Sequence, residues 1–264
     1  MEPMNVVAFS GGKDSTCMAL AMQERGERID RLLITPTGDE LPEMTGHWEA
    51  MSKRIGVGLT VPKGPTLDEA IEANGALPNF RMRFCTRMVK IQPAIAWVRM
   101  QSRPVRMFVG LRADEQERVG IISGDLDERY PLREWGFGLR EVNEFLKDRG
   151  VTIPERTDCA RCYHQRIGEW YKLWRDHRDT WLDAESQEAK HGATFRTPGR
   201  DSWPTSLVEM RAKFESGLVP TSALKRERAD RMKRELDRPV IAGNQIDIFG
   251  DEEQAKGVCR ICSL

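Results

Sequence analysis

The sequence predicts an α/β fold: a parallel, twisted sheet flanked by helices, with a helical C-terminal extension. Three observations lead there. Short apolar runs alternate with helix-period segments as far as Val109, the pattern of strand–helix–strand crossovers in a parallel sheet. A glycine turn, Gly11-Gly12, joins the first apolar run to the first helical one. Past residue 150 the strand signals stop and aromatic helical segments take over.

The elements follow in order. Val6–Phe9 reads as a strand and Thr16–Met22 as the start of a helix. Arg31–Thr35 reads as the second strand. Met44, Trp48, Met51 and Ile55 recur at three- and four-residue spacing and predict a helix over 44–55. Gly58–Val61 is a short third strand and Leu67–Asn74 a helix. Thr86–Gln101 is a helix that Pro93 interrupts or kinks, because proline lacks the N–H the ladder needs. Val105–Val109 is the fourth strand. Gln165–His191, with Trp170, Trp174 and Trp181, predicts a helix, as do Thr205–Ser216 and Ser222–Leu236. The last of these alternates charge and reads as a solvated face. From Pro239 the chain reads as a tail with one apolar patch, Ile246–Phe249. The expected organisation is residues 1–150 as a nucleotide-binding domain, 151–238 as a helical extension and 239–264 as a tail.

Composition narrows the function. Of 264 residues, 41 are lysine or arginine and 41 aspartate or glutamate, so net charge directs the chain to neither nucleic acid nor membrane. No apolar run reaches the length of a transmembrane helix, and Met1–Asn5 lacks the features of a signal peptide. The expectation is a cytoplasmic protein, in which six cysteines point to metal or redox chemistry rather than structural disulfides.

Ser10-Gly11-Gly12-Lys13-Asp14-Ser15 is the most informative segment. A helix N-terminus offers unpaired N–H groups and the positive end of a dipole. Glycines let the backbone approach an anion, two serines add hydroxyls, and Lys13 adds a mobile charge. The loop is suited to phosphate. It is not a Walker A loop, since Asp14 rather than Ser or Thr follows Lys13. Nor is it a GxGxxG fingerprint.

The string resembles the pyrophosphate loop of the PP-loop ATP pyrophosphatases. Other segments resemble the sulfonucleotide (PAPS/APS) reductase branch of that superfamily, which has relatives in phages and DNA-modification systems. They are Thr35-Pro36-Thr37-Gly38-Asp39-Glu40-Leu41-Pro42-Glu43, Arg83–Pro93 with Cys85 and Lys90, Gly110–Arg118, and Tyr130-Pro131-Leu132 with Trp135 before Cys159 and Cys162. The resemblance implies an adenine nucleotide alpha-hydrolase-like fold. It also implies that the loop grips the β- and γ-phosphates of ATP while an acceptor attacks the α-phosphate. Lys13, Asp14 and Ser15 would be catalytic. Ser10, Gly11, Gly12, Asp39, Arg87, Lys90, Gly110, Arg112 and Arg118 would join them in binding nucleotide, with Asp39, Asp114 and Glu115 as candidates to hold Mg²⁺. Partners in keeping with the resemblance are an acceptor, a sulfur donor or reductant protein, a nucleic acid and a second copy of the chain.

Two departures set this chain apart from the reductases. Its phosphate loop is intact, as in members that split ATP. Its C-terminus, Cys259-Arg260-Ile261-Cys262-Ser263-Leu264, lacks the Glu-Cys-Gly whose cysteine attacks sulfur in the reductases. Cys85 aligns with the first of the cluster-bearing family's paired cysteines and Thr86 with the second. Cys85, Cys159 and Cys162 would then need Cys259 or Cys262 to complete a [4Fe–4S] cluster. Four thiolates would equally suit zinc, and the terminal pair would equally serve as a mobile dithiol. Cys17 reads as a core residue. The expected activity is adenylylation of an acceptor with pyrophosphate release, in sulfur transfer or nucleic-acid modification. The rivals are a sulfonucleotide reductase and a catalytically quiet nucleotide-binding component.

Overall fold

The computed structural model describes residues 2–118 and 127–236, with side chains as far as 230. Five parallel strands form one sheet in the order β3-β2-β1-β4-β5. They are β1 (Met4–Ala8), β2 (Arg31–Leu33), β3 (Leu59–Thr60), β4 (Val105–Phe108) and β5 (Asp127–Arg129). The central strand pairs Val6 with Arg31 on one side and with Met107 on the other. Chain order runs outward in opposite directions from β1, so the switch point lies between β1 and β4. Ligands of open parallel sheets bind beyond the strand ends at such a point. The fold class expected from sequence is the one observed.

The first helix, α1 (Lys13–Glu24), is buried along Ser15–Met22 and lies against the sheet. Next come α2 (Pro42–Ile55) and α3 (Leu67–Asn74). Pro42 occupies the first turn of α2, where its missing N–H costs nothing. Thr66 and Glu69 form a reciprocal capping box at the start of α3, a motif of about 1 kcal/mol. The predicted 86–101 helix is two pieces, a π-helical turn over Thr86–Ile91 and α4 (Gln92–Arg99). Gln92 N–H bonds Arg87 O, five residues back. Proline at 93 removes one donor and crowds the carbonyl four residues earlier, so the ladder widens just before it.

Two helices that the sequence reading passed over, α5 (Pro131–Glu134) and α6 (Leu139–Asp148), follow β5. The second packs Val142 and Leu146 into the core around α1. The predicted 165–191 helix breaks at His177 (φ −133°, ψ 64°) into α7 (Ile167–Asp176) and α8 (Arg178–His191). With α9 (Leu207–Glu215) they enclose an aromatic core of Trp170, Trp181, Phe195 and Phe214. One compact unit covers Met1–Pro220, running on through the boundary expected at residue 150. The second, Thr221–Leu264, contains α10 (Thr221–Leu236). The predicted tail, 239–264, with Cys259 and Cys262, lies outside the described residues. No described helix is long and apolar enough to cross a membrane.

Candidate functional site

The loop between β1 and α1 carries its glycines for two distinct reasons. Gly11 has φ +74°, and a Cβ there would lie 2.2 Å from Met44 Cε and 2.5 Å from Trp48 Nε1. Backbone conformation and packing therefore both demand glycine. Gly12 caps α1 in an extended conformation, and no side-chain hydrogen bond from it closes the helix end. Trp48 Nε1–H donates to Ser10 O (3.0 Å), fixing the loop from below. Ser10 Oγ lies 3.1 Å from Ser15 Oγ and accepts Gly12 N–H (3.3 Å). Ser15 Oγ–H donates to Gly12 O (3.2 Å).

Beneath the loop, His47 Nε2 lies 3.4 Å from Thr16 Oγ1. Burial lowers its pKa, and a hydrogen bond with the Gly11 backbone opposes this. It supports the loop as a neutral ring. Gly110, at the end of β4, abuts the same helix end: a Cβ there would lie 3.0 Å from Ser15 N. The switch point thus brings Ser10–Ser15 and Gly110 together, as their positions after predicted strands suggest.

Charge at this helix end is graded. Lys13 is 41% exposed and lies 3.7 Å from Asp14. Asp14 also takes Arg112 Nη1–H at 2.9 Å. Arg112 is caged: Nε donates to Asp114 Oδ1 (2.9 Å), and Nη2 lies 3.4 Å from Glu115 Oε1. Burial works against its charge, but Asp114, Asp14 and Glu115 raise its pKa. Arg118 is 63% exposed and pairs with Glu115 at 2.6 Å. Arg133 donates to the carbonyls of Glu115 and Arg118, pinning this segment. Arg112 and Arg118 are therefore closely paired with protein carboxylates, and Lys13 is the more loosely paired cation beside the loop.

Asp39 lies elsewhere than a free Mg²⁺ ligand would. Its carboxylate accepts Arg161 Nε–H (2.7 Å) and Arg161 N–H (2.8 Å). Arg161 is 3% exposed and also meets Asp68 (2.9 Å) and Asp183 (2.6 Å). Burial disfavours its charge, while Asp39 first and then Asp68 and Asp183 hold its pKa above the usual range. Asp114 and Glu115 are likewise held by Arg112. The carboxylates suggested for Mg²⁺ are thus engaged by arginine and do not form a metal site of their own.

A second grouping surrounds the segment after β2. Ala160 N–H bonds Asp39 O (2.7 Å), and Thr37 forms a hydrogen bond with the Cys159 thiol. Lys90 faces Cys159, Asp158, Glu40 and Cys162. Burial opposes its charge, and those groups raise its pKa. Burial raises Cys159 and takes Cys162 up to about 11. Cys85 and Cys162 both lie near enough to act on Tyr163. Cys85, Cys159 and Cys162 are free thiols. Among the described residues, no group of three or more His, Cys, Asp or Glu is placed to hold a metal ion. The expected [4Fe–4S] or zinc site is therefore not shown; Cys259 and Cys262, from which its fourth ligand would come, lie outside the described residues. The Lys90 ammonium is the cation neighbouring Cys159 and Cys162. Arg87 is exposed on the π-helical turn. Cys17, pushed up to about 12 by burial and then by Asp14, is the core residue expected.

Residue-by-residue reading missed His47, Trp48 and Arg161. Trp48 was legible only as part of a helical stripe. Arg161 carried a signal, its place between Cys159 and Cys162, which attention to the cysteines obscured.

A glycine loop at a helix N-terminus, at the switch point of a parallel sheet, defines a class, the open α/β folds. Residues 4–154 match the model of the phosphoadenosine phosphosulfate reductase domain, and the chain belongs to that family. Comparison with curated protein sequences finds no match. Among solved structures, the chain is similar to phosphoadenylyl-sulfate (PAPS) reductase from Candida auris in its phosphate complex. The identity is 14% and the TM-score 0.44, over 59% of this chain and 77% of that one.

Proposed function

We propose that this member of the family binds ATP with Mg²⁺ at Ser10–Ser15 and transfers the adenylyl group to an acceptor, releasing pyrophosphate. The observation that supports this reading best is the state of the loop. Its helix end has no N-cap side chain and its lysine is open, while the neighbouring arginines are already paired. Backbone N–H groups and the helix dipole would hold the β- and γ-phosphates. Lys13 would neutralise the charge that builds on the departing pyrophosphate. Arg112 would act through Asp14, which it orients, and Gly110 would leave the backbone of Ser15 uncovered. The acceptor oxygen would bond to the α-phosphorus as the bond to the bridging oxygen breaks, with catalysis by positioning and charge neutralisation. Mg²⁺, where bound with the nucleotide, would supply charge neutralisation for the phosphates.

A cleft of about 410 Å³ lies between the segment after β2 and α7, lined by Leu41, Glu43, Glu155, Arg156, Lys172 and His177 among others; no residue of the Ser10–Ser15 loop lines it.

The second reading is reduction of a sulfonucleotide, which family membership favours. In it, thiols of this chain and a reductant protein would supply electrons. The product profile separates the two. With ATP alone and with added acceptors, adenylylation predicts pyrophosphate release without thiol consumption. Turnover of PAPS or adenylylsulfate alone, with sulfite formed and thiols oxidised, would establish the second reading and exclude the first.

A further inference from the structure

We propose that the surface built by Phe80, Arg81 and Arg83 with His164 and Arg200 is a docking platform for single-stranded nucleic acid. Phe80 is 45% exposed although it is aromatic. A turn holds it outward: Asn79 Oδ1 accepts the N–H groups of Arg81 (2.9 Å) and Met82 (3.0 Å), and Asn79 N–H donates to Met82 O (3.2 Å). The ring meets Tyr163 edge-on at 5.2 Å and His164 at 4.7 Å. The Arg200 guanidinium lies 5.6 Å from the Phe80 ring centroid. It is anchored there by donating to Tyr163 O (3.1 Å) and His164 O (2.9 Å). The aromatic platform is therefore braced from behind and open in front.

Arg28, Arg106, Arg140 and Arg178, also on the surface, each pair with a carboxylate within 3 Å. Arg81, Arg83 and Arg200 form no ion pair among the described residues. Two carboxylates face the patch. Asp201 is held by Arg196 at 2.6 Å, and Asp158 acts on His164. Burial, then Arg83 and Arg200, lower the His164 pKa, with Asp158 opposing them.

Exposed rings flanked by arginines that no carboxylate neutralises, Arg83 on the Tyr163 hydroxyl and Arg200 on backbone carbonyls, match what a single strand offers: bases with open faces, and phosphates that take forked contacts. A duplex hides those faces. The platform adjoins Cys162 through Tyr163 and His164, so a bound strand would pass beside the thiols and Lys90. None of this depends on ATP cleavage, and the test contains no nucleotide triphosphate.

The test is fluorescence anisotropy of the full chain with labelled oligo-dT, oligo-rU and a duplex, each of about 12 nucleotides. Titrations run at about 50 and about 200 mM salt. The platform predicts single-strand binding that weakens with salt. Phe80→Ala and Arg81→Glu should each reduce affinity about tenfold, with thermal unfolding unchanged. A preference between dT and rU would name the polynucleotide. Absence of single-strand binding, equal affinity for the duplex, or both variants binding like the parent would overturn the proposal.

Discussion

Lys13 at the phosphate loop and Arg161 beneath the segment after β2 are both cations within the same compact unit, yet their surroundings are opposite. Lys13 is 41% exposed, and its ion-pair contact among the described residues is Asp14 at 3.7 Å. Arg161 is 3% exposed and touches three carboxylates at 2.9 Å or less. The loop end of the sheet holds charge that a ligand can recruit, and the junction around Arg161 has spent its charge on structure. A sequence reading weighs both as basic residues near a motif. Burial and pairing separate the one that can act from the one that holds.

Breaking the junction should have the largest effect on stability. Arg161→Ala leaves Asp39 buried without its cation and should cost about 3–5 kcal/mol, read as a lower denaturant midpoint at unchanged slope. A double variant, Arg161→Met with Asp39→Leu, should recover part of it, since replacing both charges removes the stranded one. Full additivity of the two single variants would show that the pair is not coupled.

At the loop, Gly11→Ala should come next. Its φ of +74° and the 2.2 Å approach of Met44 Cε leave a side chain no space. Strain of about 1–3 kcal/mol should appear in thermal unfolding, together with loss of nucleotide binding. A variant as stable as the parent would mean the loop relaxes freely.

The helical half carries its own titration. Glu188, 6% exposed, accepts N–H groups of Phe195 (2.9 Å) and Leu207 (2.8 Å). Burial outweighs those bonds and raises it from 4.5 to about 7. Its contribution to stability is complete below the unfolded value of 4.5 and is lost as pH rises through 7, by at most about 3 kcal/mol. Glu188→Gln should flatten that part of the pH–stability curve, measured by urea unfolding. The loop region runs the other way: burial lowers the His47 pKa, so its contribution is lost as pH falls.

The smallest effect belongs to the loop lysine. Lys13→Ala should change stability by no more than about 0.5 kcal/mol, because the side chain is exposed and weakly paired. A large loss would place Lys13 with Arg161 as a structural cation and erase the contrast.

Much of the frame was legible in the sequence. The alternation up to Val109 announced the parallel sheet, and Ser10–Ser15 announced the strand–turn–helix loop between β1 and α1. α3 matches its expected bounds because Thr66 and Glu69 cap it and Gly75 ends it. β5 escaped because Asp127-Glu128-Arg129 is a polar edge strand whose only signal is its neighbour. α6 had a signal in Val142, Phe145 and Leu146 after Gly138, and it was passed over. The break at His177 leaves no mark in composition. At the site, local motifs revealed the loop, but pairing across long separations, Asp39 with Arg161 and Asp14 with Arg112, needed the fold. The cysteines illustrate the limit: spacing suggested a shared metal, while the fold shows Cys159 and Cys162, both half-buried, beside Lys90.

The central claim is that the open loop still cleaves ATP. Pyrophosphate release from ATP, compared between the parent chain and Lys13→Ala, tests it most directly. The account predicts release by the parent chain and a fall of about 10²–10³-fold in the variant, with its fold intact. Equal release by both proteins, or none from ATP while a sulfonucleotide is turned over, would contradict it.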